Sequence, residues 1–194
     1  AREGDTATII STSEELTGDD TQDRNANSIF LSSAKDNIYL IGLTLITSGR
    51  YGHGLVTSGG SSYSTTISHC NLTTNGELAN GIRTSSSIEI DYITSTGNGI
   101  TGRAIDLRLG NPAIVTNSTF MSLQSNAIAL YHNSSVILDN LNLTSSGNSC
   151  FHYSSYGAYG SAYTERDVTF SNSTLECAGT GVNVQHTGYG KNTL

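Results

Sequence analysis

Tyrosines gather in one short segment of the chain, residues 153–166, which reads YSSYGAYGSAYTER. Tyr supplies a large contact area at a low cost in rotamer entropy, and the Ser and Gly residues between the rings adapt to a partner, as in antibody paratopes. We interpret the aromatic and basic side chains here as a candidate binding site: Tyr153, Tyr156, Tyr159, Tyr163 and Arg166. The alternative is that the tyrosines pack back over the chain as a plug.

Carboxylates are the residues that glycoside hydrolysis requires, in a pair about 5–9.5 Å apart. Glu89 and Asp91 are close in sequence, but the repeat of the chain stacks no second acid or base beside them. Glu89 and Asp139 share one outward column and are separated by a whole coil. These acids therefore predict no hydrolytic pair.

Asp106 is surrounded by basic residues in the sequence. Arg83 is expected on the adjacent coil, where the two would form a surface ion pair worth under about 1 kcal/mol. Arg103 and Arg108 flank Asp106. The five His residues fall in different columns, and no G-x-S-x-G nucleophile elbow exists. We therefore predict no catalytic residue, no metal site and no cofactor.

A short unit that recurs six times must position these side chains. Each unit has a small residue followed at once by a large apolar one, with spacings of 27, 23, 23, 23 and 31 residues. Periods of this length are typical of solenoids and propellers. The small residues are Gly54, Gly81, Ala104, Ala127, Cys150 and Gly181, and the apolar residues after them are Leu55, Ile82, Ile105, Ile128, Phe151 and Val182.

Two further columns are wholly apolar. No stretch of ten or more residues has its apolar residues at helical spacing. The columns are Leu45, Leu72, Ile93, Phe120, Leu143 and Leu175, and Leu40, Ile67, Ile88, Val115, Leu138 and Phe170. A turn column, Gly in five of six units, reads Gly49, Gly76, Gly97, Gln124, Gly147 and Gly179. The pattern predicts an all-β parallel β-helix, a β-solenoid of about six to seven coils with a period of about 23–27 residues.

The repeat also predicts one domain over residues 1–194. We expect residues 1–35 to form an irregular first coil or N-terminal cap and residues 36–184 to form the regular coils. The longest period contains residues 153–166, which we expect to protrude as a Tyr-rich loop. Residues 185–194 form the C-terminal end.

Polar side chains recur at equivalent positions, as stacked coils would require. Asn117, Asn140 and Asn172 form one column, preceded by His69 and Ile90. With strands roughly 4.8 Å apart, equivalent amides can donate to and accept from one another and satisfy buried bends. A second polar column reads Thr47, Thr74, Ser95, Ser122, Ser145 and Cys177.

The three cysteines match no zinc spacing. Cys150 and Cys177 occupy columns of small residues, and they are the better pair if one disulfide exists. Cys70 lies three to four coils away and would then be left as a free thiol that packs as a small apolar residue.

Charge and hydropathy narrow the range of partners. The formal net charge is −7, with nine Lys and Arg residues scattered along the chain, which argues against nucleic acid. The chain has no run of about 20 apolar residues, so we expect no insertion of this segment into a membrane.

The runs SGRYGHGLVTS, TNGELANGIRTS and STGNGITGRAIDL each follow a strand-like run such as IGLTLIT, SHCNLTT or EIDYITS. This pattern resembles the passenger domains of bacterial autotransporters of the pertactin and AIDA type, over about residues 36–184. The resemblance implies a right-handed helix and a virulence-associated protein that is secreted or displayed on the bacterial cell surface after export through the outer membrane. We expect the chain to be all or part of a passenger.

Two functions are consistent with that resemblance. An adhesin would attach to a host cell-surface protein or glycan, or associate with copies of itself. A shed passenger would instead be a soluble ligand of one host receptor, toxin-like or growth-factor-like. A polysaccharide-acting β-helix enzyme or a phage tailspike is a third reading of the same pattern.

Overall fold

The computed structural model describes residues 9–12, 29–32, 38–58, 64–108, 112–131, 135–154, 167–185 and 191–193. Their regular structure is entirely β-strand, numbered β1 to β21 in chain order. The strands form three parallel sheets of an all-β parallel β-solenoid, each with seven strands. Three strands, one from each sheet, make up a turn of about 25 residues.

Each sheet is formed by every third strand of the chain. The first sheet contains β1 (Ile9–Thr12), β4 (Thr44–Thr47), β7 (Asn71–Thr74), β10 (Thr94–Gly97), β13 (Thr119–Ser122), β16 (Asn142–Ser145) and β19 (Thr174–Cys177). The second sheet contains β2 (Ile29–Ser32), β5 (Leu55–Ser58), β8 (Ile82–Thr84), β11 (Ile105–Arg108), β14 (Ile128–Tyr131), β17 (Phe151–Ser154) and β20 (Val182–Gln185). The third sheet contains β3 (Ile38–Ile41), β6 (Ser64–Ser68), β9 (Ser87–Asp91), β12 (Ala113–Thr116), β15 (Val136–Asp139), β18 (Asp167–Ser171) and β21 (Lys191–Thr193).

The core is built of side chains that alternate inward along each strand and stack on their equivalents in the next turn. In the second sheet Leu55 pairs with Ile82, Ile82 with Ile105, and Ile105 with Ile128, as the spacing of the units predicts. These side chains are fully buried. Each such residue removes its apolar surface from water, which stabilises the fold by about 1.5–3 kcal/mol per side chain.

The third unit is shifted by two residues from the predicted alignment. Ser95, not Ile93, pairs with Leu72 and Phe120. Ser95 is buried, and its hydroxyl donates to the carbonyl oxygen of Ala104 at 2.8 Å, so a hydrogen bond offsets its lost hydration. The columns of the first and third sheets and of their bends shift in this unit, whereas those of the second sheet do not. The observed residues, each with the predicted one in parentheses, are Ile90 (Ile88), Gly97 (Ser95), Gly99 (Gly97), Tyr92 (Ile90) and Asp91 (Glu89).

The hydroxyl column of the first sheet faces the turn that follows it. Thr74 donates to the carbonyl oxygen of Ala79 at 3.2 Å, and Ser145 donates to that of Asn148 at 3.0 Å. These hydroxyls are buried. The residues of this column stack in register, but their hydroxyls donate to backbone carbonyls of the bends and not to one another.

One corner residue per turn has a left-handed backbone conformation, with φ between 48° and 69°: Gly42, His69, Tyr92, Asn117, Asn140 and Asn172. Asn adopts this conformation more readily than most residues. Asn140 Nδ2 donates to Asn117 Oδ1 at 2.7 Å, whereas Asn117 and Asn172 donate to Asp91 and Asp139 at 2.8 and 2.7 Å. Asn140 and Asn172 are exposed, so these bonds lie at the surface and not in a buried bend as the sequence suggested.

Beside three of these left-handed corners a short side chain donates a hydrogen bond to the backbone. Ser118 and Ser173 donate to the carbonyls of Thr116 and Ser171, both at 2.6 Å. Cys70 makes the equivalent bond to Ser68 at 3.1 Å. Burial raises the pKa of the Cys70 thiol. Cys70 is therefore a sulfur counterpart of these serines, not only an apolar filler.

Cys150 and Cys177 form a disulfide, with Cα atoms 5.6 Å apart and a sequence separation of 27. The bond joins the turn before β17 to the end of β19. Since a cross-link of this length restricts the unfolded chain, it contributes about 3 kcal/mol to stability.

Replacement of Ile128 by Asp tests the stacking of the core. Ile128 is fully buried in the second sheet, and an unpaired carboxylate there costs several kcal/mol. We expect Ile128→Asp to unfold the neighbouring turns, measured by circular dichroism and thermal melting. Ile137→Asp is the matched control, because Ile137 is exposed on the outer face of the third sheet. An unchanged melting temperature for Ile128→Asp would contradict the register.

Replacement of Asn140 tests the corner ladder. Asn140→Leu loses the bond to Asn117 and places a side chain that disfavours positive φ at a φ of 53°. We expect a loss of about 1–3 kcal/mol in the free energy of unfolding. Asn140→Gly keeps the conformation and should lose less than half of that. Asn142→Leu, an exposed position in β16, should stay within about 0.5 kcal/mol of the parent. Equal losses at positions 140 and 142 would exclude the ladder.

Candidate functional site

The outer face of the second sheet carries the densest group of charged and aromatic side chains in the described part of the chain. Its outward column, as predicted, is Val56, Arg83, Asp106, Ala129, His152 and Asn183. Two further outward residues at the ends of their strands, Arg108 and Tyr131, are register partners. We call the following residues the basic cluster: His53, Asn80, Arg83, Arg103, Asp106, Arg108, Tyr131 and His152.

Asp106 is the centre of the basic cluster, and its side chain is 0% exposed. Its Oδ2 accepts hydrogen bonds from Arg108 Nε at 2.8 Å, from Arg103 Nη1 at 3.3 Å and from Asn80 Nδ2 at 3.2 Å. Arg108 Nη2 is also 2.7 Å from this oxygen. Asp106 is thus buried in an ion pair with Arg103 and Arg108, and Arg83 is its register partner on the adjacent strand, as the sequence predicts. Residues 106 and 108 lie on the same face of β11, which brings the guanidinium back over the carboxylate.

The two guanidinium groups are held beside an aromatic ring. The Cζ atoms of Arg103 and Arg108 lie 5.1 and 5.9 Å from the centroid of Tyr131, within cation–π distance. The ring of His152 is 5.9 Å from that of Tyr131. The Arg103 side chain is 19% exposed and that of Arg108 is 39% exposed. Asp106 therefore positions both arginines from beneath, and each side chain is partly exposed.

His53 belongs to a ladder that precedes the second sheet. Its Nδ1 accepts the backbone N–H of Asn80 at 2.8 Å, and Asn80 Oδ1 accepts the backbone N–H of Arg103 at 3.1 Å. Asn126 Oδ1 accepts the backbone N–H of Ser149 at 3.2 Å in the same way. Arg103 has no side-chain acceptor, so its guanidinium is directed to Asp106 instead. The ladder places Arg103 in the basic cluster.

The protonation state of His53 follows from these contacts. Burial, and then the charges of Arg83 and Arg108, lower the pKa of His53 from 6.5 to about 3. His53 is therefore neutral at neutral pH, and since its Nδ1 accepts a hydrogen bond, its proton is on Nε2. Arg83 Nη1 lies 3.2 Å from that Nε2. Two donors thus face each other at this point.

His152 responds to the same environment. Burial, and then the charge of Arg103, lower the pKa of His152. Among the residues that define the basic cluster there are three arginines and one carboxylate, Asp106.

Two buried polar atoms of the cluster make no hydrogen bond, Arg103 Nε and Asp106 Oδ1. Buried polar atoms are otherwise nearly always satisfied. A donor and an acceptor thus remain available at the base of the cluster.

One residue of the binding site predicted from the sequence, Tyr153, lies within the described part of the structure. Tyr153 is the third residue of β17, paired with Leu130 and Val184, and it is 4% exposed. Its ring is part of the core and offers no surface to a partner. Tyr156, Tyr159, Tyr163 and Arg166 lie outside the described residues.

The sequence groups four residues of the basic cluster, because Arg103 and Arg108 flank Asp106 and Arg83 is expected on the adjacent coil. It gave no reason to add His53 or Asn80 to that group. His53 and Asn80 precede the small residue of their units at the same offset as Arg103. That shared offset is the signal that could have linked them.

Among the described residues, no three His, Cys, Asp or Glu side chains gather in a way that could hold a metal ion. No helix long and apolar enough to cross a membrane occurs in that part of the chain. Comparisons with protein-family models, with curated proteins and with solved structures find no match to this chain.

The low pKa of His53 predicts a loss of stability in acid. The unfolded chain takes up a proton near pH 6.5, whereas the folded chain does so only near pH 3. The stability contributed by neutral His53 is therefore present above about pH 6.5 and is lost as the pH falls toward 3. We expect His53→Gln to reduce the fall in the free energy of unfolding between pH 7.5 and pH 4.5, measured with urea. His69→Gln, at an exposed position, is the control. Equal pH dependence in parent and His53→Gln would contradict the assignment.

Proposed function

We propose that this chain is a passenger-type solenoid of a bacterial autotransporter, right-handed as in the pertactin and AIDA type, and secreted or displayed on the cell surface. It acts as an adhesin that binds a host cell-surface protein or glycan, or other copies of itself. The three-sheet solenoid is consistent with this class. The disulfide between Cys150 and Cys177 supports an oxidising compartment outside the cytoplasm.

The observation that favours binding over catalysis is the state of Asp106. It is the one acidic residue in the described outward column of the second sheet, and its Oδ2 is committed to two guanidinium groups and Asn80. A glycosidase needs two carboxylates on either side of the scissile bond. An ion pair that orients arginines is instead typical of recognition, because a guanidinium held in place loses less entropy when it binds.

A soluble ligand of one host receptor is a second candidate. The basic cluster is compact and combines Arg with Tyr, the residue types that dominate binding energy at protein interfaces. A flat polar face would favour adhesion through many weak contacts instead.

The Tyr-rich segment is also part of the proposed binding surface. In sequence it follows directly after Ser154, the last residue of β17 and the register partner of Tyr131. The proposed surface therefore combines the exposed side of the basic cluster with Tyr156, Tyr159, Tyr163 and Arg166.

Replacement of Tyr156 and Tyr159 together by Ser tests this function. If these rings are anchors worth about 2 kcal/mol each, binding to cultured host cells should weaken roughly a thousandfold. Circular dichroism and the melting temperature should stay nearly unchanged. The readout is saturable binding of labelled protein.

The matched control is the pair Tyr39→Ser and Tyr92→Ser, since both rings are exposed elsewhere on the solenoid. If the control pair weakens cell binding as much as the 156/159 pair, the site is not in this segment. If the 156/159 pair unfolds the protein, the tyrosines form a plug.

A further inference from the structure

Five Asn-x-Ser/Thr sequences, the acceptor motif for N-linked sugars, occur in the chain, at Asn71, Asn117, Asn133, Asn142 and Asn172. Four of them lie among the described residues, and Asn133 lies outside them. A repeat in which Asn and Thr recur produces such sequences on its own, so the motif alone selects no site. The structure divides the four described motifs into two pairs.

The first pair lies at the corners of the solenoid. Asn117 and Asn172 have left-handed backbones, at a φ of 49°, and each lies before the strand that contains its Thr. Their Nδ2 groups donate to Asp91 and Asp139 at 2.8 and 2.7 Å. Asn117 Oδ1 also accepts from Asn140 at 2.7 Å. At both corners, the nitrogen that would carry a sugar is thus part of a link between turns.

The second pair lies on the outer face of the first sheet. Asn71 and Asn142 are the first residues of β7 and β16, and both are exposed. Each motif lies wholly within its strand, so Thr73 and Thr144 are on the same face as the Asn two residues earlier. The residue between Asn and Thr is buried in both strands. The acceptor amide and the Thr hydroxyl therefore both point outward.

The column that contains Asn71 and Asn142 is uncharged. Its described members are Thr44, Asn71, Thr94, Thr119, Asn142 and Thr174, in register. No carboxylate of that column competes for the amide of either Asn, in contrast to the corners. With strands about 4.8 Å apart, Asn71 and Asn142 are about 14 Å apart along the solenoid axis. That distance leaves room for a sugar on each.

We propose that Asn71 and Asn142 are N-glycosylation sites of this protein and that Asn117 and Asn172 are not. In the reaction, Nδ2 of the Asn attacks C1 of a sugar held in a glycosyl diphosphate donor. The N–C1 bond forms as the C1–O bond breaks, and the diphosphate leaves with the electron pair. Nδ2 gives up one proton to a base of the transferase, and no group is oxidised or reduced.

The same selection holds for a sugar attached before folding. At Asn117 or Asn172 the sugar would crowd the bond between Nδ2 and the Asp of the neighbouring turn, whereas at the outward Asn71 it meets solvent. N-linked sugars are found at the surfaces of secreted proteins, the class that the Cys150–Cys177 disulfide supports. Sugars on the first sheet would cover its outer face and leave the basic cluster of the second sheet exposed.

Mass spectrometry of the full chain, purified from the cells that naturally produce it, tests the proposal. Electron-transfer fragmentation keeps a sugar on its Asn, so the occupancy of each site is measured whichever sugar is attached. We expect sugar on most copies of Asn71 and Asn142 and on few or no copies of Asn117 and Asn172.

Thr73→Ala and Thr73→Ser are a matched pair of variants. The first removes the motif without changing Asn71 and should abolish the sugar there, whereas the second keeps a hydroxyl and should retain it. Thr119→Ala removes the motif at Asn117 in the same way and should leave the mass of attached sugar unchanged. Thr73 and Thr119 are both half-buried on the outer face, so these variants should fold, as circular dichroism would show.

Three results would overturn the proposal. They are absence of sugar from Asn71 or Asn142, an occupancy of Asn117 or Asn172 equal to theirs, and sugar that persists at Asn71 in Thr73→Ala. The inference is independent of the proposed binding function. A chain that carries sugar at Asn71 and Asn142 but binds no cells would reject the binding function alone.

Discussion

Each turn of this protein lies on the previous one in parallel register, and every other feature depends on that stacking. The hydrogen bonds between turns fix which residues become neighbours, so a side chain meets its equivalent one turn away about 4.8 Å along the axis. Apolar positions then form continuous columns, as from Leu55 to Ile128. A residue that suits one turn but not its neighbours is costly, because it disturbs two contacts at once.

The same stacking determines which hydrogen bonds are available to the polar groups of the solenoid. Buried hydroxyls such as Ser95 and Thr74 donate to carbonyls of the bends. Left-handed corners such as Asn117 and Asn140 link turns at the surface. His53 and Asn80 accept backbone N–H groups from the next turn. In each case the hydrogen bond offsets the loss of hydration on burial.

The basic cluster is where this regular pattern is interrupted. Arg103 stands in the ladder of acceptors but has only donors, and its guanidinium is directed outward to Asp106. A buried carboxylate is favourable only when it is paired and hydrogen-bonded, and Arg108 completes that pairing. A buried ion pair adds little net stability, because desolvation of the charges offsets their attraction. The effect of this pair is to orient the guanidinium groups of Arg103 and Arg108. It holds two cations beside Tyr131 on a rigid sheet, the kind of arrangement from which recognition sites are built.

The sequence alone determined the solenoid, because six units with a small residue and a following apolar one leave little choice of alignment. It also favoured the Cys150–Cys177 pair if a disulfide forms, since Cys70 lies three to four coils away, and the structure contains that disulfide. Only the tertiary structure determined the register of the third unit, in which Ser95 and not Ile93 pairs with Leu72 and Phe120. Ile93 and Ser95 can both point inward, and the bond from Ser95 to Ala104 that favours the second exists only once the turn is formed. Likewise, the burial of Asp106 depends on the directions of side chains from three turns: Asn80, Arg103 and Arg108, and Tyr131. The spacing of the units places these residues near one another but does not determine where their side chains point. The sequence pattern assigned Tyr153 to a surface loop, because its burial depends on how far β17 extends. Its pairing with Leu130 and Val184 places the ring in the core.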